Sequence, residues 1–324
     1  MDPGLRRDDN WAGGCPLAPM IQFVEQVLNG VQFGVMLFLM AAGLTLIFGI
    51  MNLINLAHGS LYMVGAYVAA AVFAATGSFL AGLAAALAAA IVVGVAIETL
   101  VFRTLYTRDH LDQVLATFGL ILFFNETVRM LFGSTALYMR VPDFLNGRVE
   151  ILPGSPYPTY RLAIIAVGLA VALLLYGLIA RTRLGMLIRA GASNRVMLGA
   201  LGVNVRLLYT GVFALGAALA ALAGVMAGPI FTVESGMGES VLISAFVVIV
   251  IGGIGSIRGA FVAALLVGIV DAVGRAYLRP LLAAFMSRAA ADNAGPALAS
   301  MSIYILMAAV LLIRPQGLFP PKGR

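Results

Sequence analysis

Two groups of polar and glycine residues interrupt an otherwise apolar chain, and they are the residues that could contact a polar solute. The first group lies within residues 49–60 and the second within residues 252–259. The candidates for a translocation pathway are Asn52, Asn55, His58, Gly59 and Ser60 in the first group, and Gly252, Gly253, Gly255 and Ser256 in the second. Interrupted helices in two halves of a chain are typical of transporters, where the freed backbone lines a cavity.

Helix capping gives these groups a chemical role. We expect Asn55 or Ser60 to cap the helix that follows the first group, and Ser256 to cap the helix after the second. The free N–H groups and positive dipole end of such a helix suit a carboxylate. Two alternatives stay open: each group is a turn between two short helices, or its small residues are helix-packing contacts.

The sequence lacks the residue sets that enzymes need. It has no G-x-x-x-x-G-K-[ST] motif for nucleotide phosphates, its single lysine is Lys322, and its single cysteine is Cys15. The two histidines, His58 and His110, are too few and too far apart in sequence for a metal site. We therefore predict a protein that is not an enzyme, with no catalytic residue, no metal site and no bound cofactor.

Composition points to a membrane protein. Of 324 residues, 62% are hydrophobic and 10% are charged, whereas soluble domains carry about 25% charged residues. A span needs roughly 20 apolar residues, and this predicts an all-α polytopic membrane protein with two interrupted segments in a pseudo-repeat arrangement. The expected spans are 27–50, 58–76, 79–102, 113–133, 161–180, 207–228, 240–253, 259–279 and 299–313. An interruption inside one crossing gives one crossing fewer than a turn between two crossings. Eight and nine crossings are therefore both permitted.

Positive charges predict the orientation. Eleven Arg and Lys residues fall in loops 103–112 and 181–206, at Arg258 and in the C-terminal tail, against five on the other side. The positive-inside rule then places these loops and the C-terminus in the cytoplasm. Residues 1–19 are polar and turn-rich, so we expect a disordered extension or a misassigned start, with Met20 as the true first residue. Residues 20–324 form a single transmembrane domain.

The loop 181–206 has the composition of a docking surface. It is too polar to span a membrane, yet it is rich in leucine and small residues, with Gly199 and Gly202 as helix stops. This pattern favours a short surface helix that offers Ala, Met and Leu to a partner's groove. A basic loop lying on anionic lipid would explain the arginines but not the Ala and Gly pattern.

Acidic residues near the spans are expected to be structural. Glu126 with Arg129, and Asp271 with Arg275, have the spacing of ion pairs within one helix. Glu98 is expected to snorkel at a span end. Glu234 and Glu239 fall in a loop on the opposite side from loop 181–206, where they could dock a soluble partner.

Four sequence blocks resemble the permeases of branched-chain amino acid ABC transporters. They are residues 43–49 running into Asn52 and residues 55–59, the loop from Arg189-Ala190 to residues 199–202, residues 250–260, and residues 314–319. The resemblance covers residues 20–319 and is closest to the shorter, LivH-type subunit.

The resemblance implies partners and a site of coupling. It implies a second, LivM-like permease, two cytoplasmic ATPase subunits and a periplasmic substrate-binding protein, in a bacterial inner membrane. ATP would be used by the ATPase subunits. The loop residues expected to contact the ATPases are Arg189, Ala190, Ala192, Asn194, Gly199, Leu201 and Gly202.

Other functions remain as alternatives. The same importer class could carry urea, short amides or other amino acids. An autonomous channel or ion-coupled carrier would work without an ATPase, but the spans lack an acid-rich ion relay. A non-transporting membrane scaffold is disfavoured by the two interrupted segments.

Overall fold

A computed structural model describes residues 18–319 except 54, 107, 153 and 154. Residues 1–17, most of the predicted extension, lie outside the described residues. The helices are α1 Ala18–Met51, α2 His58–Thr76, α3 Phe79–Ile97, α4 Arg103–Leu105, α5 His110–Phe132, α6 Thr159–Arg181, α7 Arg183–Ser193, α8 Arg195–Ala200, α9 Val205–Ala227, α10 Met237–Gly252, α11 Ile257–Ala283 and α12 Arg288–Ile313. A π-helical turn, Glu98–Phe102, joins α3 to α4, and a 3₁₀ turn covers Asp143–Leu145. Strands β1 Arg148–Leu152 and β2 Ser155–Pro158 pair in antiparallel fashion.

Eight of the described helices are long and apolar enough to cross a membrane, counting α3 together with its continuation to Leu105. The ninth predicted span is α10, an apolar helix of 16 residues that is about 24 Å long. All nine predicted segments are therefore helical, and the all-α membrane fold is confirmed. The last helix begins at Arg288 instead of residue 299.

Contacts between α1 and α11 show that these helices are antiparallel. Gly30 lies against Gly268, the Phe38 and Phe261 rings are 5.1 Å apart, and Gly49 approaches Gly255. A Cβ atom at Gly34 would come within 2.6 Å of the Ala264 carbonyl oxygen. Small residues thus allow the two backbones to touch, which is the usual way that helices associate in lipid.

Contacts between α11 and α12 give the direction of the last helix. The helix α12 returns beside α11, because Gly295 contacts Arg279 and Gly274 contacts Ala299. The start of α1 and the end of α12 therefore lie at opposite ends of the bundle. One end carries α7 and α8 and is named the α7 end; the other carries the β1–β2 hairpin and is named the hairpin end. With α10 included, the described helices make nine alternating passes.

The core of the bundle is α1, with α9, α10 and α11 packed around it. The side chains of α1 from Val35 to Ile47 are nearly all buried, whereas much of α5, α6 and α12 exposes Leu, Phe, Met and Tyr. Exposed apolar side chains on the outer helices suit a lipid environment.

The hairpin is tied to the start of α1. The Ser155 hydroxyl donates a hydrogen bond to Glu25, and the Tyr157 hydroxyl donates to Asn29 Oδ1 at 3.1 Å. Arg161 at the start of α6 also donates to Asn29. Burial raises the pKa of the Tyr157 hydroxyl, which keeps it a donor. In its described part, the long polar connection of residues 134–160 is thus held against the start of α1 by hydrogen bonds.

Candidate translocation site

The first interruption is a segment that folds back into the bundle. Helix α1 ends at Met51, and Asn52 has φ +52°, the left-handed region that asparagine tolerates better than most residues. Leu53, Asn55 and Ala57 are buried. The chain then returns to the level of Gly43, where an added Cβ would lie 2.9 Å from His58 Nε2. Irregular backbone of this kind persists at membrane depth only when protein surrounds it.

The fold-back places the start of α2 against the start of α10. A Cβ atom at Gly59 would lie 2.5 Å from the Gly238 carbonyl oxygen, and a Cβ at Gly238 would overlap the Gly59 carbonyl oxygen. The two glycines therefore pack backbone to backbone. Of the predicted pathway residues in the first group, Gly59 thus contacts the first turn of α10, a contact that sequence spacing does not reveal.

Three polar residues of this group are enclosed. Asn55, His58 and Ser60 are all buried, and both side-chain amide atoms of Asn55 lack a hydrogen-bond partner among the described residues. The capping prediction is wrong here, because the N-cap of α2 is Ala57 and no side chain caps it. Asn52, in contrast, is exposed.

The second interruption lies elsewhere, at the α7 end. Gly253 and Gly255 have positive φ in a turn of four residues between α10 and α11, and Ser256 caps α11 by accepting a hydrogen bond from the Gly259 N–H at 3.1 Å. The capping prediction for Ser256 is therefore confirmed. Gly252 packs on Gly259, about 21 Å along α10 from Gly238. The second group is a turn between two helices, which was the alternative interpretation, and the structure does not bring it beside His58 and Gly59.

A second non-helical segment leads into α10 at the contact between Gly238 and Gly59. Residues 228–236 form turns between α9 and α10, with Val233 buried and paired with Leu137. They lead into Met237 and Gly238, as residues 52–57 lead into His58 and Gly59. This segment was not among the predicted pathway residues, although Gly228-Pro229 and Gly236 are turn signals.

The loop 181–206 folds into two short helices at the α7 end. Thr182 caps α7 through the Gly185 N–H, Asn194 caps α8 through the Met197 N–H, and Gly202 with φ +84° ends the pair. The seven predicted coupling residues are all exposed: Arg189, Ala190, Ala192, Asn194, Gly199, Leu201 and Gly202. Apolar Val196 and Leu201 are 77% and 74% exposed. The predicted surface helix is present as two short helices in place of one.

The inner side of α7 is in contact with the bundle. Gly185 packs on the Leu178 and Ile179 carbonyl groups at the end of α6, and an added Cβ at Gly191 would lie 3.6 Å from Ile50 near the end of α1. Leu198 of α8 is buried and packs against Gly191. A displacement of α7 would therefore reach the last turn of α1, directly before the fold-back segment.

A buried carboxylate also links helices at the α7 end. Glu98 is fully buried, which corrects the expectation that it snorkels. It accepts hydrogen bonds from the Tyr106 hydroxyl at 2.9 Å and the Thr210 hydroxyl at 2.7 Å, and it contacts Arg103 Nε at 3.5 Å. Burial, and then the Glu98 carboxylate, raise the pKa of Tyr106. This cluster joins the end of α3 to the start of α9. The π-helical turn that carries Glu98 is a geometry frequent at functional sites.

Both ion pairs predicted from the sequence are present. Arg275 Nε lies 2.8 Å from Asp271, and Arg129 lies 3.4 Å from Glu126. Each pair lies within one helix, as its spacing predicts. Within the described part of the chain, no cluster of three or more His, Cys, Asp or Glu residues could hold a metal ion.

A cleft of about 1110 Å³ opens between α1, α6, α7 and α11. Gly255 and Ser256 of the second pathway group line it together with Arg189 and Ala192 of the coupling group. The structure thus combines residues that the sequence analysis assigned to two separate roles.

Comparison with known proteins identifies the family. A family model described as the permease component of branched-chain amino acid transport systems matches residues 26–311. The chain belongs to this family. The matched residues include the fold-back segment, α7, α8 and both turns that flank α10.

Individual members of the permease family are similar over most of their length. LivH of Escherichia coli K12, a high-affinity branched-chain amino acid transport system permease protein, is 32% identical over 272 residues, which are 80% of this chain and 88% of LivH. BraD of Pseudomonas aeruginosa is 31% identical over 310 residues, which are 91% of this chain and 95% of BraD. A probable LivH of Methanocaldococcus jannaschii is 27% identical over 314 residues, 91% of this chain and 92% of the relative. No solved structure matches the chain.

Proposed function

We propose that the chain is one of two permease subunits of an ATP-binding-cassette importer for branched-chain or related amino acids. The observation that carries the proposal is the α7–α8 pair, which exposes apolar and small residues at one end of the bundle while its inner side contacts α1 and α6. The names of the similar family members supply the class of cargo.

The proposed partners follow from two features of the chain: its sequence has no motif for nucleotide phosphates, and it exposes side chains at both ends of the bundle. The second subunit of the pathway is a LivM-like permease, and a periplasmic binding protein delivers the cargo at the hairpin end. The importer has two ATPase subunits, one of which binds α7 and α8 of this chain. Exposed Glu234, in the turns before α10, is a candidate contact for that protein. ATP is bound by the ATPase subunits, and this chain binds no cofactor.

The proposed location is the bacterial inner membrane, with the α7 end and the C-terminus in the cytoplasm. Support comes from the arginines at the α7 end, among them Arg103, Arg189 and Arg258, because positive residues are retained on the cytoplasmic side.

Coupling follows the contacts of α7. Closure of the ATPase pair on bound ATP moves α7, whose Gly191 side touches Ile50, so that the last turn of α1 and the fold-back segment move with it. Alternating access then results from a shift between two arrangements of the pathway. The enclosed amide of Asn55 is a polar group that a passing amino acid can satisfy in the arrangement that exposes it.

Co-purification and uptake test the proposal. The tagged chain is co-expressed with the ATPases, second permease and binding protein encoded beside it, and the complex is then reconstituted for ATP-dependent uptake of labelled leucine. We expect the whole set to be recovered. Recovery of the chain alone, with transport in liposomes that lack ATP, would contradict the proposal in favour of a channel or carrier.

A double variant tests the docking surface. Gly199→Asp with Leu201→Asp places two charges on exposed positions, so the permease should remain folded while the ATPases are lost or uncoupled from uptake. Phe144→Asp, which puts one such charge on an exposed site of the hairpin end, is the control and should retain the ATPases. Normal coupling in the double variant would contradict the role of α8.

A further inference from the structure

The cleft between α1, α6, α7 and α11 has one basic end and one apolar end. Its basic residues are Arg189 of α7 and Arg258 of α11, both at the α7 end, and none of its lining residues is Asp or Glu. The apolar end is lined by Phe38, Leu169, Leu173, Phe261 and Val262. A ligand that fits this surface has a negative charge at one end and a long apolar body.

The arginine at the entrance is held in place. The Arg258 guanidinium lies 5.1 Å from the centre of the Tyr176 ring, and its Nη2 is 3.5 Å from the Tyr176 hydroxyl. A cation over an aromatic face is favourably placed, and no carboxylate of the described residues forms an ion pair with Arg258. Guanidinium groups bind phosphate oxygens through paired hydrogen bonds.

The dimensions of the cleft match one leaflet of a bilayer. Along α1 the lining extends from Phe38 to Ile50, about 18 Å, and half of a ~30 Å hydrocarbon core is one leaflet. The wall is open toward the membrane, since Leu173 is 72% exposed and Val262 is 41% exposed. An acyl chain can therefore enter sideways from the bilayer while its headgroup stays at the α7 end.

We infer that this cleft binds an anionic phospholipid, with its phosphate between Arg189 and Arg258 and an acyl chain along α6 and α11. The transported amino acid does not fit the same description, because its ammonium group would meet two cations and no acid. Basic pockets between membrane helices are suited to anionic headgroups. The inference goes beyond the proposed function and does not depend on the identity of the cargo.

Lipid titration of the full chain in its co-expressed complex tests the inference. The complex is delipidated in mild detergent and titrated with phosphatidylglycerol or with phosphatidylcholine of the same acyl chains, and bound lipids are counted by native mass spectrometry. We expect a preference for phosphatidylglycerol that falls about fivefold in Arg258→Gln, the effect of one basic residue near a membrane surface. Arg206→Gln, at the same end but outside the cleft, is the control and should bind as the unmodified chain does.

Three outcomes would overturn the inference. Equal affinity of Arg258→Gln and Arg206→Gln for phosphatidylglycerol would show that Arg258 does not bind the headgroup. Displacement of phosphatidylglycerol by inorganic phosphate would show a site for a free anion. Loss of the second permease from Arg258→Gln, with an unchanged lipid count, would show that a protein covers the cleft. If Arg258→Gln does not fold, Arg258→Lys keeps the positive charge and should retain a preference for phosphatidylglycerol.

Discussion

Substitution of Gly59 by alanine tests the contact between α2 and α10 on which the candidate site depends. The added Cβ would lie 2.5 Å from the Gly238 carbonyl oxygen. Carbon–oxygen contacts of this type begin at about 3.3 Å, so α2 and α10 must separate by roughly 0.8 Å. Because backbone atoms are on the other side of the contact, no side-chain rotation can relieve the overlap.

The magnitude follows from overpacking and helix propensity. Overpacking of a well-packed core costs about 1–3 kcal/mol, while replacing glycine by alanine inside a helix gains up to about 1 kcal/mol. Gly211→Ala in α9 is the matched control, since an added Cβ there meets no atom within 4 Å. The control variant has only the gain in helix propensity. The difference in unfolding free energy between the two variants therefore measures the cost of the overlap with Gly238.

Unfolding and uptake are measured on the same preparations. We expect the free energy of unfolding of Gly59→Ala to be about 1–3 kcal/mol below that of Gly211→Ala, with lower uptake per folded complex. Denaturant titration in detergent gives the first quantity, and labelled-leucine uptake in proteoliposomes gives the second. Equal unfolding free energies together with normal uptake would refute the packing and the site built on it.

Three further predictions concern individual residues. Asn55→Leu should raise the melting temperature, because it removes two buried amide atoms that lack a hydrogen-bond partner among the described residues. The same variant should lower uptake, and a fall in melting temperature would contradict the description of Asn55. Glu98→Ala should lower the free energy of unfolding by about 2–3 kcal/mol, the scale of lost hydrogen bonds to a charged group. Glu98→Gln should lower it by less, because its amide oxygen can still accept a hydrogen bond, and equal losses in a denaturant titration would contradict this expectation. Gly185→Ala should detach α7 from α6 and reduce the ATPase activity that depends on the binding protein. Gly177→Ala in α6, where an added Cβ meets no atom within 4 Å, should not; identical activities would argue against a fixed α7.

Sequence reasoning captured the features that depend on local composition. Spans follow from runs of apolar residues because a bilayer requires each segment to satisfy its own backbone hydrogen bonds. The cap at Ser256 follows from a side chain that bonds a backbone N–H three residues further on. The Asp271–Arg275 pair follows from the helical period. None of these depends on how the helices are arranged in space.

Tertiary structure decided the features that depend on distant parts of the chain. The two interruptions are alike in glycine content, yet only the first folds back, because Gly43 leaves room for His58 and Gly238 leaves room for Gly59. Glu98 is buried and not snorkelling because Thr210, 112 residues away, supplies a hydrogen bond. The cleft exists only where α1, α6, α7 and α11 meet. Each outcome rests on contacts between residues far apart in sequence, and composition and spacing alone carry no information about such contacts.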